Sequence, residues 1–296
     1  PVLLRIRQAI EESLAEPLAK IHFGHPVLFE GNENLRNNLA FDRLSEACGH
    51  AGIKKLTFYP EPVAATLSYR NDEQSPDSGC VLTVDFGGGT LDLSVVEYSG
   101  TRFDVLSTSG ISLGGDHIDQ LIFKEVLFPH FGKGEIWSRV KDGRLIENDF
   151  PFEEYEGKLL NWAVTYILNQ NQYRSKIIDR IAQGGEGKEK FERLLELITH
   201  NLSYLVFQAI KDAKAALSNV EETIIDVPEL DLAVSFSRDQ FESIMTDMLL
   251  RIENVTEEVL HRSGRGRTDI DIVIRTGGSS QIAAVKRLLE EQFPGK

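Results

Sequence analysis

With 296 residues, 41% hydrophobic and 26% charged, the chain can bury a substantial core as one large domain or two ordinary ones. Its formal net charge of −14 argues against nucleic acid or an anionic membrane as partner, since both need positive surface, and no apolar run approaches the length of a membrane span. The only cysteines, Cys48 and Cys80, lack metal-ligand or redox spacing, which points to a reducing cytoplasm.

In chain order, Leu3 to Lys20 has helical periodicity and reads as an amphipathic helix, not a signal peptide. IHFGHPVLF, Ile21 to Phe29, reads as a strand ending in a loop, and Asn34 to Ala51 as a helix closed by Gly52. IKKLTFYPEP is a strand running into a turn, and VAATLSYR begins a helix whose first turn tolerates Pro62. The polar, turn-rich NDEQSPDSG, Asn71 to Gly79, marks a first boundary. Strands follow at Cys80–Phe86, Leu91–Tyr98 and Arg102–Gly110. From Asp119 to about Ser218 the pattern is mostly helical, with one glycine-rich break at QGGEGK. Short strands at Thr223–Val227 and Leu230–Phe236 precede a long helix with Ser237 as its N-cap. DIDIVIR reads as a buried strand, TGGSSQ as a tight turn and IAAVKRLLEEQF as a helix. The order is that of an α/β protein with a helical insertion between about Gly114 and Ala233.

The segment VLTVDFGGGTLDLSVVEY carries the chemistry. Strand, glycines, strand is not a P-loop, which leads into a helix and carries a lysine and a hydroxyl. Ordinary hairpins need one or two glycines. Gly87, Gly88 and Gly89 let successive amides face one concave side and let a phosphate approach the backbone. Asp85 and Asp92 beside a phosphate would repel it unless a cation intervenes, which implies Mg²⁺ held largely through water. Thr90 can orient an attacking water or touch the γ-phosphate. Elsewhere, His22 with His25, and Cys48 with His50, lack the partners that a metal site or a catalytic thiol requires. Trp162, Tyr166 and Tyr173 recur near helical spacing and read as packing.

DFGGGTLDLS resembles the second phosphate motif of the DnaK-type, seventy-kilodalton heat-shock chaperones and of their actin and sugar-kinase relatives. Three further segments resemble that family in its order: YPEPVAATLSY its first connecting motif, LGGDHID its turn into the helical subdomain, and DIVIRTGGSSQIAAVKRLL its adenosine motif. Pro26 falls where the family has the proline of its VPAYF segment, and FYPEPVAATLSY and SYLVFQAIKDAKAALS look most like the YegD-like branch. The resemblance covers essentially the whole chain. It implies an actin-like (ribonuclease H-like) ATPase fold with ATP or ADP and Mg²⁺ as cofactors. Asp85 would hold Mg²⁺ through water, and Gly87, Gly88 and Gly89 would cradle the β- and γ-phosphates. Thr90 would lie beside the γ-phosphate, and Asp92 would help order the attacking water or Mg²⁺. Glu61 would sit at the hinge near metal and water. Gly114 and Gly115 would touch a phosphate. Gly277, Gly278 and Ser279 would wrap the nucleotide, and Lys214 and Ser218 would face ribose and adenine.

The chain also departs from the family. Ala215 and Gln281 stand where the chaperones sandwich adenine between arginines, and Lys211 stands at an acidic ribose-binding position. The family's first phosphate hairpin, of DLGTT type, does not occur. The expectation is therefore a piece of the nucleotide-binding domain: residues 1–72 the rest of a truncated first lobe, 79–113 and 234–296 a complete or nearly complete second lobe, and 114–233 the inserted helical subdomain. The expected function is ATP binding and, in an intact parent, Mg²⁺-dependent hydrolysis driving lobe movement in protein folding or remodelling. Client proteins or co-chaperones are the implied partners. For this chain by itself the expectation is weak binding without significant turnover. The alternative is a nucleotide-sensing or protein-docking scaffold that does not cycle.

Overall fold

The computed structural model describes residues 1–18, 20–26, 34–70, 76–141 and 143–296. They form two compact units: 1–114 with 249–281 and 285–296, and 115–248 with 282–284. Among the described residues no helix is long and apolar enough to cross a membrane.

The first unit begins with α1 (Val2–Leu14), β1 (Ile21–His25), α2 (Asn34–His50), β2 (Leu56–Pro60) and α3 (Glu61–Arg70). Helix α1 stops short of the Lys20 that periodicity suggests. Ala15 turns left-handed (φ 56), and Pro17, which lacks an N–H, keeps Glu16 out of the helical region. Helix α2 ends as expected, with Gly52 at φ 77 and its amide on Gly49 O. Strands β1 and β2 pair in parallel, Ile21 opposite Leu56. Residues 27–29 of the expected first strand and 71–75 of the expected boundary lie outside the described residues.

β3 (Ser78–Phe86), β4 (Leu91–Ser99), β5 (Arg102–Ile111) and β10 (Ile272–Thr276) make a four-stranded sheet in the order β10-β3-β4-β5. β10 runs parallel to β3, and the other pairs are antiparallel. The central strands are buried on both faces, which is why they read as near-continuous apolar runs. One face carries Leu82, Val84, Leu93 and Val95, all fully buried. The C-terminal part of α9 (Arg238–Ser263) is tied to β5 by Ser107 Oγ donating to Val259 O at 2.7 Å. The opposite face carries Thr83, Asp85, Asp92 and Ser94, which with Glu61, Pro62 and Ala65 of α3 line a cavity. Helix α10 (Ala283–Gln292) follows the turn after β10. Cys48 and Cys80 are both buried and unpaired.

The second unit holds α4 (Gly115–Ile122), a π-helical turn (Phe123–Leu127), β6 (Ile136–Lys141), β7 (Arg144–Asp149), α5 (Glu153–Leu159), α6 (Asn171–Gln183), α7 (Lys188–Thr199), α8 (Ser203–Ala216), β8 (Glu222–Val227) and β9 (Leu232–Ser237). Its core is aromatic: Phe150 meets Phe191 at 4.6 Å between ring centroids and Phe128 meets Phe152 at 5.0 Å. The mostly helical reading of this stretch needs one correction. Residues 136–149 form an antiparallel hairpin, with Ile136 opposite Asp149. Trp137 is buried inward, its Nε1 donating to Asp179 Oδ2 at 2.6 Å.

Ser237 does cap α9. Its Oγ accepts the Gln240 amide (3.2 Å) while Gln240 Oε1 accepts the Ser237 amide (3.0 Å), a reciprocal capping box. Ser237→Ala should therefore lower stability by about 1 kcal/mol in urea unfolding, with an unchanged m-value. A loss below about 0.3 kcal/mol would show the cap to be redundant.

Candidate functional site

Asp85 lies one residue before the end of β3, and Asp92 is the second residue of β4. The register sets them directly opposite each other. Like charges in that relation weaken an antiparallel pair, so the sheet itself gains nothing from them. Thr90 Oγ1 donates to Asp92 Oδ2 at 2.8 Å. Glu61 opens α3, where a carboxylate suits the positive end of the helix. All three carboxylates line one cavity of about 280 Å³. Burial pushes the Glu61 carboxyl above its ordinary value, Asp85 and Asp92 push it further, and His25 partly opposes them. Burial likewise raises Asp92, against the Thr90 hydrogen bond and reinforced by Asp85.

The glycines of the motif sort into two kinds. A Cβ on Gly114 would overlap the carbonyl of Gly88 and stand 2.5 Å from Gly89 N. A Cβ on Gly277, whose φ is +79, would overlap the carbonyl of Phe86 and stand 2.9 Å from Gly87 N. These two are glycine because backbone packs on backbone, bracing the hairpin from two sides. Ser279 adds a third brace, its Oγ donating to Gly87 O at 3.0 Å. By contrast, a Cβ on Gly89 or Gly278 would meet nothing within 4 Å, and one on Gly87 only Thr90 O at 3.9 Å. Intramolecular packing does not require glycine there; the absent side chains leave backbone open to the outside. Gly87 N closes the tip on Thr90 O at 3.0 Å, while the amides of Gly88 and Gly89 have no partner among the described residues. Braced hairpin, open amides and opposed carboxylates fit a phosphate with a hard cation beside it. Among the described residues no three His, Cys, Asp or Glu side chains are grouped closely enough to hold a metal ion.

Two glycines that sequence reasoning passed over belong to the site. Gly110 is the β5 partner of Asp92, and a Cβ there would stand 2.5 Å from Asp92 Oδ1. Gly24 on β1 leaves room for Glu61, whose Cγ a Cβ would meet at 3.3 Å. The available signal was a glycine inside a strand pattern, which marks a close approach.

Glu61, Asp85, Gly87, Gly88, Gly89, Thr90, Asp92, Gly114, Gly277, Gly278 and Ser279 all belong to the first unit. Gly115, Lys214 and Ser218 belong to the second. There Lys214 Nζ is bound to Asp119 Oδ1 (2.5 Å) and donates to Gly115 O (3.2 Å), and Lys211 Nζ reaches Asp116 (3.3 Å). The Asp119 carboxylate is buried, and its Oδ2 has no hydrogen-bond partner among the described residues. Ser218 lies just past the end of α8, its amide on Ala215 O at 3.2 Å.

Comparison with known proteins gives a consistent set of matches. The family model described as Hsp70 protein matches residues 1–148 and 202–296. The chaperone protein dnaK of Cyanidioschyzon merolae is 28% identical over 299 residues, which cover 98% of this chain and 38% of that protein. The chaperone protein DnaK of Deinococcus proteolyticus is 28% identical over 252 residues, 81% of this chain and 30% of its own length. The chaperone protein dnaK of Cyanophora paradoxa is 26% identical over 299 residues, with shares of 98% and 38%. The chain thus spans well under half the length of the curated relatives it matches.

Proposed function

The chain belongs to the Hsp70 family, and from that premise we propose that it is an ATP- or ADP-binding portion of a chaperone, with Mg²⁺ as the accompanying ion. The observation that carries this reading is the braced glycine hairpin, with open Gly88 and Gly89 amides, joining the two strands that carry Asp85 and Asp92, which line one cavity with Glu61. The amides would donate to phosphate oxygens, and the glycines would admit those oxygens without steric cost. Asp85 and Asp92 would hold Mg²⁺ through its water. Glu61 and Thr90 would orient a water toward the γ-phosphate. Bound Mg²⁺ would neutralise phosphate charge that the carboxylates otherwise repel. The crowding of Glu61, Asp85 and Asp92 around one cavity supports a cation here, because like charges held so close repel one another unless a positive charge lies among them.

In the longer protein, the changing phosphate contacts would move lobes and act on client proteins with co-chaperones, in a cytoplasmic setting. The wording of FYPEPVAATLSY and SYLVFQAIKDAKAALS leads us to assign the chain to the YegD-like branch. Phosphoryl transfer needs charge from several sides of the phosphate, and this chain carries one such glycine hairpin; little turnover is expected from it by itself.

Calorimetric titration of Mg²⁺-ADP, with Mg²⁺-GDP alongside, tests the reading. Saturable ADP uptake is expected, weakened about tenfold or more in Asp85→Ala and lost in Gly278→Val, whose side chain fills open space at the turn. Uptake that both variants leave unchanged would refute it. A second reading, a scaffold that binds nucleotide without cycling, is favoured by Ala215 and Gln281 at the adenine positions and by Lys214 being engaged with Asp119. Nucleotide-dependent turnover by the full-length parent would exclude that second reading.

A further inference from the structure

Behind the aspartates the sheet carries a second polar row. The register sets Thr276, Asp85, Asp92 and Gly110 side by side, and two residues further into the sheet Ile274, Thr83, Ser94 and Thr108. Residues two apart on a strand share a face. Thr83, Ser94 and Thr108 therefore stand directly behind the carboxylates, and they line the same 280 Å³ cavity. Thr83 and Ser94 are 4% and 2% exposed, in strands whose neighbouring positions are aliphatic. Burying hydroxyls there forgoes apolar packing that valine or alanine would provide.

The hydrogens of the row are already committed. Thr83 Oγ1 donates to Ser94 O at 3.3 Å, Ser94 Oγ to Thr108 Oγ1 at 3.1 Å, and Thr108 Oγ1 to Leu93 O at 3.1 Å. A hydroxyl has one hydrogen and two acceptor positions, and an ionised carboxylate only accepts. The hydroxyls and the three carboxylates at the mouth thus offer lone pairs to the cavity. At about 30 Å³ per molecule the space holds a small group of waters. Such waters satisfy the lining by pointing hydrogens at it, which turns their oxygens toward the mouth, where a cation would draw on them.

Resting on the nucleotide reading above, we propose that Thr83, Ser94 and Thr108 are positioning residues: a hydroxyl row that orders the inner waters through which Asp85 and Asp92 hold a hydrated divalent cation beside the phosphates. The row touches neither nucleotide nor metal and acts by fixing the second layer.

The test is calorimetric titration of ADP into the full chain across a Mg²⁺ series and in chelator, for the parent, Thr83→Val, Ser94→Ala and Thr83→Ser. Thr83→Val keeps the shape and removes the oxygen. The Mg²⁺ concentration that half-restores ADP affinity should rise about tenfold in Thr83→Val, the scale expected for loss of an outer partner of a metal. Affinity in chelator should not change, and Thr83→Ser should return the midpoint to the parent's. A Mg²⁺-dependent parent whose midpoint neither Thr83→Val nor Ser94→Ala moves overturns the row's role and leaves the nucleotide reading standing. Affinity lost equally with Mg²⁺ and in chelator marks a purely structural role and overturns it too. A parent that takes up no ADP at any Mg²⁺ concentration overturns both.

Discussion

Gly277→Ala should destabilise the chain by roughly 3 kcal/mol and abolish Mg²⁺-ADP binding. Two penalties combine. The residue sits at φ +79, a region that alanine enters only with strain, and its Cβ would overlap the Phe86 carbonyl. The opposing atoms are backbone, so no rotamer change relieves the overlap. Either the end of β10 or the root of the glycine hairpin must move, and the hairpin is the part that the proposed phosphate contacts require. Gly278→Ala is the matched control. Its Cβ meets nothing within 4 Å, so its stability should stay within about 0.5 kcal/mol of the parent. Urea unfolding and calorimetry of the two variants check the pair. Equal stability losses at both positions would mean that the close approach at Gly277 is not what holds the hairpin.

Lys214→Met should cost about 3 kcal/mol at neutral pH, because it leaves the Asp119 carboxylate buried without its partner. Lys211, 4.0 Å from Asp119 Oδ2, offsets part of the loss. Burial raises the Asp119 carboxyl, and the Lys214 ammonium is the first group opposing that rise. Without Lys214 the folded chain holds the Asp119 proton more tightly than the unfolded chain does. Stability then falls as pH rises through the window between the ordinary carboxyl value and the raised one. The deficit is therefore fully present above the raised value and shrinks on acidification. Urea unfolding at about pH 5 and about pH 8 shows this directly. The double variant Asp119→Asn with Lys214→Met should recover most of the loss, since no charge is then stranded. A deficit that does not vary with pH would assign the effect to packing of the lysine stem.

Much of this was legible in the sequence for one reason: the central strands are buried on both faces and flank three glycines. β3 and β4 were bounded within about two residues by their apolar runs, β5 was bounded as closely, and the Ser237 cap and the QGGEGK break needed only local rules. The hairpin at 136–149 was missed although Asp142-Gly143 is a strong turn signal. Its strands alternate weakly, β7 is exposed along its whole length, and long helical patterns surround it. Within the site, the motif residues were found because they are contiguous. Gly110 opposite Asp92, Gly24 beside Glu61 and the hydroxyl row depend on strand register or on contact between distant segments, which no local pattern encodes. The Asp119–Lys214 pair spans 95 residues and was invisible for the same reason.

The distribution of two rare residue types has a practical consequence. Both cysteines lie in the first compact unit, and both tryptophans, Trp137 and Trp162, lie in the second. Burial raises the Cys48 thiol and pushes the Cys80 thiol up to about 11, so neither forms reactive thiolate readily in the folded chain. Thiol labelling then clocks the opening of one unit alone, and indole fluorescence follows the other. The wild-type chain carries its own pair of orthogonal reporters, and whether the two transitions coincide would reveal if the halves melt as one cooperative entity or as two.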